Sequence, residues 1–350
     1  MAVPEVPPRV ARQPGKWERR LRVAALGCSA AALILLVVHT VSWWSLGPPA
    51  PAALPPAGEV LEGTAPFRFA VAGDSHSHMD VFDSVLEGAK ADGVSLILHT
   101  GDLVAARAET DYDWLLLELE EARLGVPFCA VPGNHDIVKR EDNPQLRCRL
   151  YSRSLGPRQY WFAYANALFV GFDSASEECE KDGLQWLDRT LSRLRGQFEA
   201  CFVYTHVPPS DPRAGCNHCM QSGAEELGRI LKKHRVTALF AGHIHSYLET
   251  AIEGIPVYIS GGGGGGPDEP FGPFHYLLCS VEPGGAFRVE KKDVVAASRD
   301  DYWEHGLLVV WPRRLGTPFL VVLMAAGVLF SVLAGIAQRR RLREAQAPGS

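Results

Sequence analysis

The sequence predicts an α/β domain placed between two membrane-spanning helices, and three patterns carry this prediction. Short apolar runs alternate with amphipathic segments between residues 66 and 294, which is typical of βαβ units and a mainly parallel sheet. Polar side chains that suit metal binding follow several of these runs. A long apolar stretch without Asp, Glu, Lys or Arg flanks the domain on each side.

Hydrophobic periodicity places the individual elements of the domain. Residues 160–173 predict a β-hairpin, residues 137–160 are polar and irregular, and residues 247–294 predict antiparallel strands that close a second sheet. Amphipathic segments predict helices at about 79–91, 110–124, 182–195 and 224–235. Five apolar runs indicate buried strands: FRFAVAGDSH, VSLILHTGD, VPFCAVPGNHD, CFVYTHVP and VTALFAGHIH.

Length and charge limit the function classes. A chain of 350 residues is long enough for a large buried core. Its net charge of −5 is unevenly distributed, because residues 1–22 and 313–350 hold 12 of the 35 basic residues and only 3 of the 40 acidic ones. Residues 23–312 therefore carry a net charge of −14. Since nucleic-acid binding depends on neutralising phosphates, a nucleic-acid partner is disfavoured.

The N-terminal region predicts a membrane anchor. Residues 1–22 form a Pro- and Arg-rich tail that is predicted to be disordered and cytoplasmic, and residues 23–46 are long enough to cross a bilayer. A cleaved signal peptide is the alternative, with Ala-Pro-Ala at residues 50–52 as a cleavage site. The apolar stretch exceeds the usual length of a signal core, which favours the anchor. Residues 47–65 are interpreted as a Pro/Ala linker.

A second span is predicted at residues 315–337, followed by a basic tail at residues 338–350. Basic residues concentrate beyond the second span, which places the C-terminus in the cytoplasm together with the N-terminus. The protein is therefore predicted to be an integral membrane protein with two spans. The domain between them, at residues 66–300, is expected outside the cytoplasm.

The cysteines agree with that location. Cys148, Cys179, Cys216 and Cys219 fall in segments read as polar loops, where an oxidising compartment would allow disulfides. The Cys-Asn-His-Cys sequence at residues 216–219 also resembles half of a zinc site. No second Cys-x-x-Cys accompanies it, so disulfides are favoured over a metal there.

Five short motifs stand at or after the ends of the five apolar runs. Their oxygen and imidazole donors suit divalent ions such as Mn, Fe or Zn. The motifs are Asp74-Ser75-His76, Gly101-Asp102, Gly133-Asn134-His135-Asp136, His206 and Gly242-His243-Ile244-His245. Polar ligands repeated at strand ends predict a site assembled at one edge of a sheet.

The motifs, in this order, resemble the signature of the calcineurin-like metallophosphoesterases, D-x-H, G-D, G-N-H-[DE], H and G-H-x-H. The resemblance covers roughly residues 66–294 and implies a two-sheet β-sandwich flanked by helices. It also implies two divalent metal ions bridged by Asp102. One ion would take Asp74, His76 and His245, and the other would take Asn134, His206 and His243.

The resemblance further implies a metal-dependent hydrolase in which a hydroxide bridging the two ions attacks phosphorus directly. His135 would protonate the leaving group, and Asp136 would orient His135. A tight turn is predicted directly after Gly242, since glycine suits such turns, and it would let His243 and His245 converge on the centre.

The substrate class stays open at this level. Phosphomonoesters, phosphodiesters and pyrophosphates all suit such a centre, and membrane anchoring makes a lipid head group one hypothesis for the substrate. A catalytically silent sensor or interaction domain with the same fold is the alternative function. The complete set of motif residues favours the enzyme. The glycines at residues 261–266 are interpreted either as a flexible lip near the phosphate or as a loose connection.

Overall fold

The computed structural model describes residues 15–46, 56–106, 108–138, 141, 143–266, 273–296 and 316–344. The chain divides into two compact units. One lies within Pro49–His305, and the other within Met1–Pro48 together with Gly306–Ser350.

The unit within Pro49–His305 is built from alternating strands and helices. Its strands are β1 Val60–Leu61, β2 Phe67–Ala72, β3 Ile97–His99, β4 Phe128–Ala130, β5 Tyr160–Tyr164, β6 Ala167–Gly171, β7 Ala200–Tyr204, β8 Ala238–Ala241, β9 Tyr247–Ile252, β10 Ile255–Ser260, β11 Phe274–Val281 and β12 Phe287–Val294. Its helices are α2 Met79–Ala91, α3 Glu109–Ala122, α4 Pro144–Arg147, α5 Arg149–Leu155, α6 Lys181–Leu194 and α7 Ala224–Lys233. The predicted helices and the hairpin are confirmed to within a few residues.

The strands form two mixed sheets. A seven-stranded sheet has the order β1-β5-β6-β7-β8-β10-β9, and a five-stranded sheet has the order β12-β11-β2-β3-β4. β2, β3 and β4 are parallel to one another, and so are β6, β7 and β8. The carboxyl ends of neighbouring parallel strands lie at the same edge of a sheet, which is where polar motifs can meet.

Three apolar clusters define the layers. Alternate residues of β2 such as Phe67 and Phe69 pack between the two sheets, where the Phe69 ring lies 5.1 Å from that of Phe202. Ala70, the residue after Phe69, points to the opposite face and joins the cluster that contains residues of α2 and α3. The outer face of the seven-stranded sheet is covered by α6 and α7. The predicted two-sheet sandwich flanked by helices is confirmed.

Two details of the predicted topology are wrong. The strands within residues 247–294 do not close one sheet together, because β10 pairs in parallel with β8 and carries β9 into the seven-stranded sheet, whereas β11 pairs with β2. Residues 137–160 are not irregular throughout, since they contain α4 and α5. The Tyr151 hydroxyl on α5 donates to the Ala130 carbonyl and fastens this segment to β4.

The unit made of the terminal segments contains two long helices, α1 Lys16–Leu46 and α8 Gly316–Glu344. Within them, Lys16–Val38 and Val321–Arg340 are long and apolar enough to cross a membrane by length and composition. Both helices continue into the segments predicted as tails: residues 16–22 and 338–344 are helical. The predicted tail and span positions 1–14, 315 and 345–350 lie outside the described residues.

The predicted linker also has a structured end. Residues 47–55 lie outside the described part of the chain, but β1 pairs in parallel with β5, so the folded domain begins before residue 66.

The expected disulfides are not present, because all eight cysteines are free. Cys148 and Cys179 are buried rather than in open loops, at 1% and 6% exposure.

Candidate metal centre

The candidate ligands converge where parallel strands of both sheets end. Asp74 follows β2, Asp102 follows β3, and Asn134 follows β4, all in the five-stranded sheet. His206 follows β7, and His243 follows β8, in the seven-stranded sheet. The expectation of a site at one edge of a single sheet is therefore corrected: two sheets contribute to it.

Tight turns bring these side chains together. Asp74, His76, Asp102 and His243 all have positive φ, at 60°, 48°, 54° and 68°. Such a conformation costs a non-glycine residue about 1–3 kcal/mol and persists only where the surroundings impose it. The turn predicted after Gly242 is present, since β8 ends at residue 241 and His243 is left-handed.

One group of ligand atoms consists of Asp74, His76 and His245, which lie within 4.8 Å of one another. Nε2 of His245 is 3.5 Å from Oδ1 of Asp74 and 3.2 Å from Nε2 of His76. The Asp74 carboxylate is fully buried and also accepts the backbone N–H of His243 at 2.9 Å. This last hydrogen bond fastens the turn after β8 to the turn after β2.

A second group consists of Asp102, His206 and His243, again within 4.8 Å. Nε2 of His206 lies 3.2 Å from Nδ1 of His243 and 3.0 Å from Oδ1 of Asn134. The residues that the motifs assign to each ion are thus brought together by the fold.

Asp102 stands between the two groups. Its Oδ2 lies 3.4 Å from Nε2 of His76 in one group and 3.3 Å from Nε2 of His206 in the other. Its Oδ1 accepts the backbone N–H of His135 at 2.7 Å. One carboxylate therefore faces both groups, as a bridging ligand must.

Backbone carbonyls fix the orientation of the imidazoles. Nδ1 of His206 lies 2.9 Å from the Thr100 carbonyl, and Nδ1 of His245 lies 2.6 Å from the Gly266 carbonyl. A carbonyl can only accept, so each Nδ1 carries the proton, and each Nε2 is directed to the centre. Carbonyl partners of this kind commonly set the tautomer of metal-binding histidines.

Burial and neighbouring charges shift the pKa values of the candidate ligands. Burial would raise the pKa of Asp74, but hydrogen bonds with His245 and His76 outweigh burial and hold this pKa well below its usual range. Burial would lower the pKa of His76, but Asp102 and Asp74 raise it to about 10. Burial, together with the nearby His206, lowers the pKa of His243 to about 4. Among the protein groups alone, protonated imidazoles balance the carboxylates.

The donor set fits a pair of divalent ions. With metal–nitrogen bonds of about 2.0–2.1 Å, two ligands of a tetrahedral ion lie about 3.3 Å apart. The imidazole nitrogens of His206 and His243 are 3.2 Å apart, as are those of His76 and His245. Each pair thus has the spacing of neighbouring ligands on one ion, and each is completed by a buried carboxylate.

Asp136 does not orient the His135 ring, contrary to the sequence-based expectation. Its carboxylate accepts the backbone N–H groups of Leu103 at 3.1 Å, Val104 at 3.2 Å and Gly133 at 2.8 Å. Burial raises the pKa of Asp136 to about 7, with a further contribution from Asp102. Asp136 therefore joins the loop after β3 to the loop after β4 and supports the metal ligands indirectly.

Two histidines outside the ligand set flank the centre. The His135 ring lies 4.6 Å from that of His76, and its Nδ1 is 3.1 Å from the Ala105 carbonyl. The exposed His218 ring lies 5.9 Å from that of His243, on the other group. The sequence pattern at residues 216–219 suggested disulfides or half of a zinc site and did not predict this placement, because no spacing relates His218 to the strand ends.

The loop that carries His218 is held by one carboxylate. Asp211 accepts hydrogen bonds from the Arg213 backbone N–H at 3.0 Å and from its guanidinium at 2.9 Å. It also accepts the backbone N–H of His218 at 3.0 Å. The Arg213 side chain thereby holds the pKa of Asp211 well below its usual range, so the carboxylate stays charged and keeps the loop in place.

The glycine run at residues 261–266 is neither a lip nor a loose connection in its described part. The Gly263 N–H donates to the Gly73 carbonyl at 2.9 Å, and the Gly265 N–H donates to the Asp74 carbonyl at 2.5 Å. A Cβ on Gly265 would lie 2.7 Å from the His245 ring, closer than such contacts are found. Glycine is required here because the backbone packs directly on the ligands.

Paired groups of carboxylates and imidazoles at the strand ends of two sheets define a candidate centre for divalent metal ions. The family model for calcineurin-like phosphoesterases matches residues 67–247, a segment that contains all nine candidate site residues. The chain belongs to that family, whose members use a dimetal centre.

Individual relatives are distant. A probable cyclic nucleotide phosphodiesterase from Fibrobacter succinogenes is 26% identical over 176 residues, which span 48% of this chain and 64% of the relative. A probable glycerophosphodiester phosphodiesterase from Arcobacter nitrofigilis is 28% identical over 175 residues, 44% of this chain and 58% of the relative. The chain thus spans less than two thirds of either relative.

A solved structure supports the fold. The purple acid phosphatase from yellow lupin (Lupinus luteus) seeds aligns with a TM-score of 0.56 at 15% identity. The alignment covers 66% of this chain and 52% of the lupin chain.

Proposed function

We propose that this chain is a membrane-anchored phosphoesterase with a binuclear centre, in which Asp102 bridges an ion held by Asp74, His76 and His245 and an ion held by Asn134, His206 and His243. The observation that carries the proposal is that Oδ2 of Asp102 lies between two imidazole–carboxylate groups, 3.4 Å and 3.3 Å from their nearest nitrogens. Mn, Fe and Zn suit such a nitrogen and oxygen donor set.

When bound, the two ions neutralise phosphoryl charge and activate water for in-line attack on phosphorus. The protein holds the ligands in place beforehand, since the carbonyls of Thr100 and Gly266 and the strained turns fix their directions. The reaction then needs no reorganisation of the ligands, which is the main advantage of a preorganised polar site.

His135 is the proposed proton donor to the leaving alkoxide. One of its ring nitrogens lies within 4.8 Å of ligand atoms of His76 and Asp102, so the ring can reach an ester bound at the centre. Its Nδ1 donates to the Ala105 carbonyl, which leaves Nε2 to deliver the proton. Asp136 acts as a positioning residue for the surrounding loops. His218, whose ring lies 5.9 Å from that of His243, is proposed to contact the ester from that side.

Phosphodiesters are the favoured substrate class. The Fibrobacter and Arcobacter relatives are both named as phosphodiesterases. The net charge of −14 over residues 23–312 disfavours long polyanions. A phosphomonoester remains the alternative, and a diester within a lipid head group would be met at high effective concentration by an anchored enzyme.

The anchoring proposal rests on the two apolar helices and on the basic residues at their ends. Both termini are proposed to be cytoplasmic, with the catalytic domain outside the cytoplasm. The exposed Cys216 supplies a test. In sealed membrane vesicles with the cytoplasmic face outward, a membrane-impermeant maleimide should label the wild type only after the membrane is permeabilised, with Cys216→Ser/Cys219→Ser as the control that lacks this labelling. Labelling of Cys216 in the sealed vesicles would contradict the topology.

The catalytic proposal is tested on the full chain in detergent after removal of metal. We expect Mn, Zn or Fe to restore hydrolysis of an aryl phosphodiester and, more weakly, of an aryl phosphomonoester. His135→Ala should retain the metal but lose turnover by roughly 100-fold or more. A sensor would bind two ions without hydrolysing either ester, and that result would reject the enzyme.

A further inference from the structure

The two long helices form an antiparallel pair. The Arg22 guanidinium on α1 donates to the side-chain oxygen of Gln338 on α8 at 3.1 Å. Further along, a Cβ on Gly327 of α8 would lie 3.2 Å from the Ser29 hydroxyl and 3.7 Å from Cβ of Cys28 on α1. Small residues at such a crossing allow close helix packing in a bilayer. The first turns of α1 therefore lie beside the last turns of α8.

This pairing joins two basic segments that are far apart in sequence. Apart from Arg22, which is bonded to Glu18, the exposed cations among the described side chains at the shared end are Lys16, Arg19, Arg20, Arg339, Arg340 and Arg343, which we call the basic collar. The acidic side chain of Glu18 does not offset them at the surface, because it is 3% exposed and bonded to Arg22 at 2.7 Å.

The length of the helices sets the depth of the collar. At about 1.5 Å per residue, the seven helical residues before position 23 and the seven after position 337 each extend about 10 Å. The headgroup layer on one side of a bilayer is about 5–8 Å thick. When the helical segments between these two basic ends fill the hydrocarbon core, the collar lies at the level of the headgroups. Trp17 is 72% exposed beside it, with the Arg20 guanidinium 5.7 Å from the ring centre.

We propose that the basic collar is a binding site for anionic phospholipid headgroups. The inference rests on the proposed membrane anchoring but not on hydrolysis. Five of the six collar residues are arginines, whose planar guanidinium binds phosphate oxygens in pairs. The occupant follows from charge and position: at headgroup depth, the partner with clustered phosphates is the lipid itself.

The test uses the full chain, purified in detergent with an equimolar mixture of phosphatidylcholine and phosphatidylglycerol. Native mass spectrometry counts the lipids that stay bound. We expect the wild type to retain phosphatidylglycerol over phosphatidylcholine by roughly five-fold or more, since each cation near the surface contributes roughly that factor. The triple variant Arg339→Gln/Arg340→Gln/Arg343→Gln should lose most of this preference.

A matched control replaces three exposed arginines of the other unit, Arg149, Arg189 and Arg288, with Gln and should keep the preference. Equal retention of both lipids by the wild type would overturn the proposal, and so would an unchanged preference in the collar variant. Retention of inorganic polyphosphate in preference to phosphatidylglycerol at equal phosphate concentration would identify a soluble polyanion as the partner and also overturn it.

The outcome is separable from the proposed hydrolysis, because the collar variant should turn over aryl esters at the wild-type rate. Carbonate extraction checks the anchoring itself. Release of the chain from membranes by carbonate would contradict the anchoring on which the collar proposal rests. Loss of hydrolysis with an unchanged preference for phosphatidylglycerol would contradict only the proposed enzyme activity.

Discussion

Oδ2 of Asp102 and Nε2 of His206 lie 3.3 Å apart, although the two residues follow strands of different sheets. The contact is supported by the hydrogen bond between the His206 ring and the Thr100 carbonyl, two residues before Asp102. The candidate centre therefore depends on the packing of the two sheets against each other. Substitutions in the apolar layer between the sheets should therefore shift the positions of the metal ligands.

The glycine run should control metal binding through His245. Gly265→Ala places a Cβ 2.7 Å from the His245 ring, so we expect the affinity for the ion on this side to fall about 10- to 100-fold. Gly266→Ala is the matched control, because a Cβ there meets nothing within 4 Å. Calorimetric titration of each metal-stripped variant with Mn measures its affinity for the ion. Equal affinities in the two variants would contradict the packing argument.

His218 should affect the ester more than the metal. We expect His218→Gln to lower kcat/KM for an aryl phosphodiester roughly 10- to 100-fold at unchanged metal content, because its ring lies 5.9 Å from that of His243 but is not one of the motif ligands. Asp211→Ala, which releases the loop, should give a similar but smaller loss, whereas Cys216→Ser should have little effect. A loss of metal in His218→Gln would instead make His218 a ligand.

Asp136 should support the structure more than the chemistry. Asp136→Ala leaves the backbone N–H groups of Leu103, Val104 and Gly133 without their acceptor. Each buried donor without an acceptor costs about 1–3 kcal/mol, so the melting temperature should fall by several degrees. Thermal unfolding measures the melting temperature of this variant. The comparison variant, His135→Ala, should keep the wild-type stability while losing turnover. Unchanged stability in Asp136→Ala would show that its carboxylate does not join the loops.

An ion pair between α6 and α7 should make a small, pH-dependent contribution to stability. The Lys233 ammonium, and next the His234 ring, hold the pKa of Asp188 below its usual range. A lowered pKa stabilises the fold above the unfolded-state pKa of about 3.9, and this stabilisation is lost as the pH falls through the lower folded-state value.

Because Asp188 is 34% exposed, the effect at neutral pH should be under about 1 kcal/mol. Asp188→Asn should therefore melt slightly below the wild type at pH 7 and together with it near pH 2. A difference that grows towards acid pH would contradict this sign.

The sequence predicted those features that depend on local pattern. Helix α2 matches its expected range, and the turn predicted after Gly242 is present, since glycine suits a tight turn at a strand end. The grouping of β9 and β10 with β8 could not be predicted, because both sheets accept short apolar strands, and packing of the whole domain decides between them.

The contacts that support the site could also not be predicted from the sequence. Asp136 stands next to His135 in the chain, which suggested a direct contact, yet its side chain turns to the backbone of Leu103 and Gly133. Cys148 was placed in a polar loop by its neighbours, but it directly precedes α5 and is buried. Such directions are set by tertiary contacts that sequence spacing does not encode.

The central claim is a centre of two ions bridged by Asp102, and metal stoichiometry tests it most directly. Elemental mass spectrometry of the full chain after reconstitution with Mn should give two ions per chain, with Asp102→Asn losing at least one ion and roughly 1,000-fold in diester hydrolysis. Asp182→Asn, an exposed carboxylate on α6, is the control and should match the wild type. One ion or none in the wild type, or two ions and full turnover in Asp102→Asn, would contradict the account.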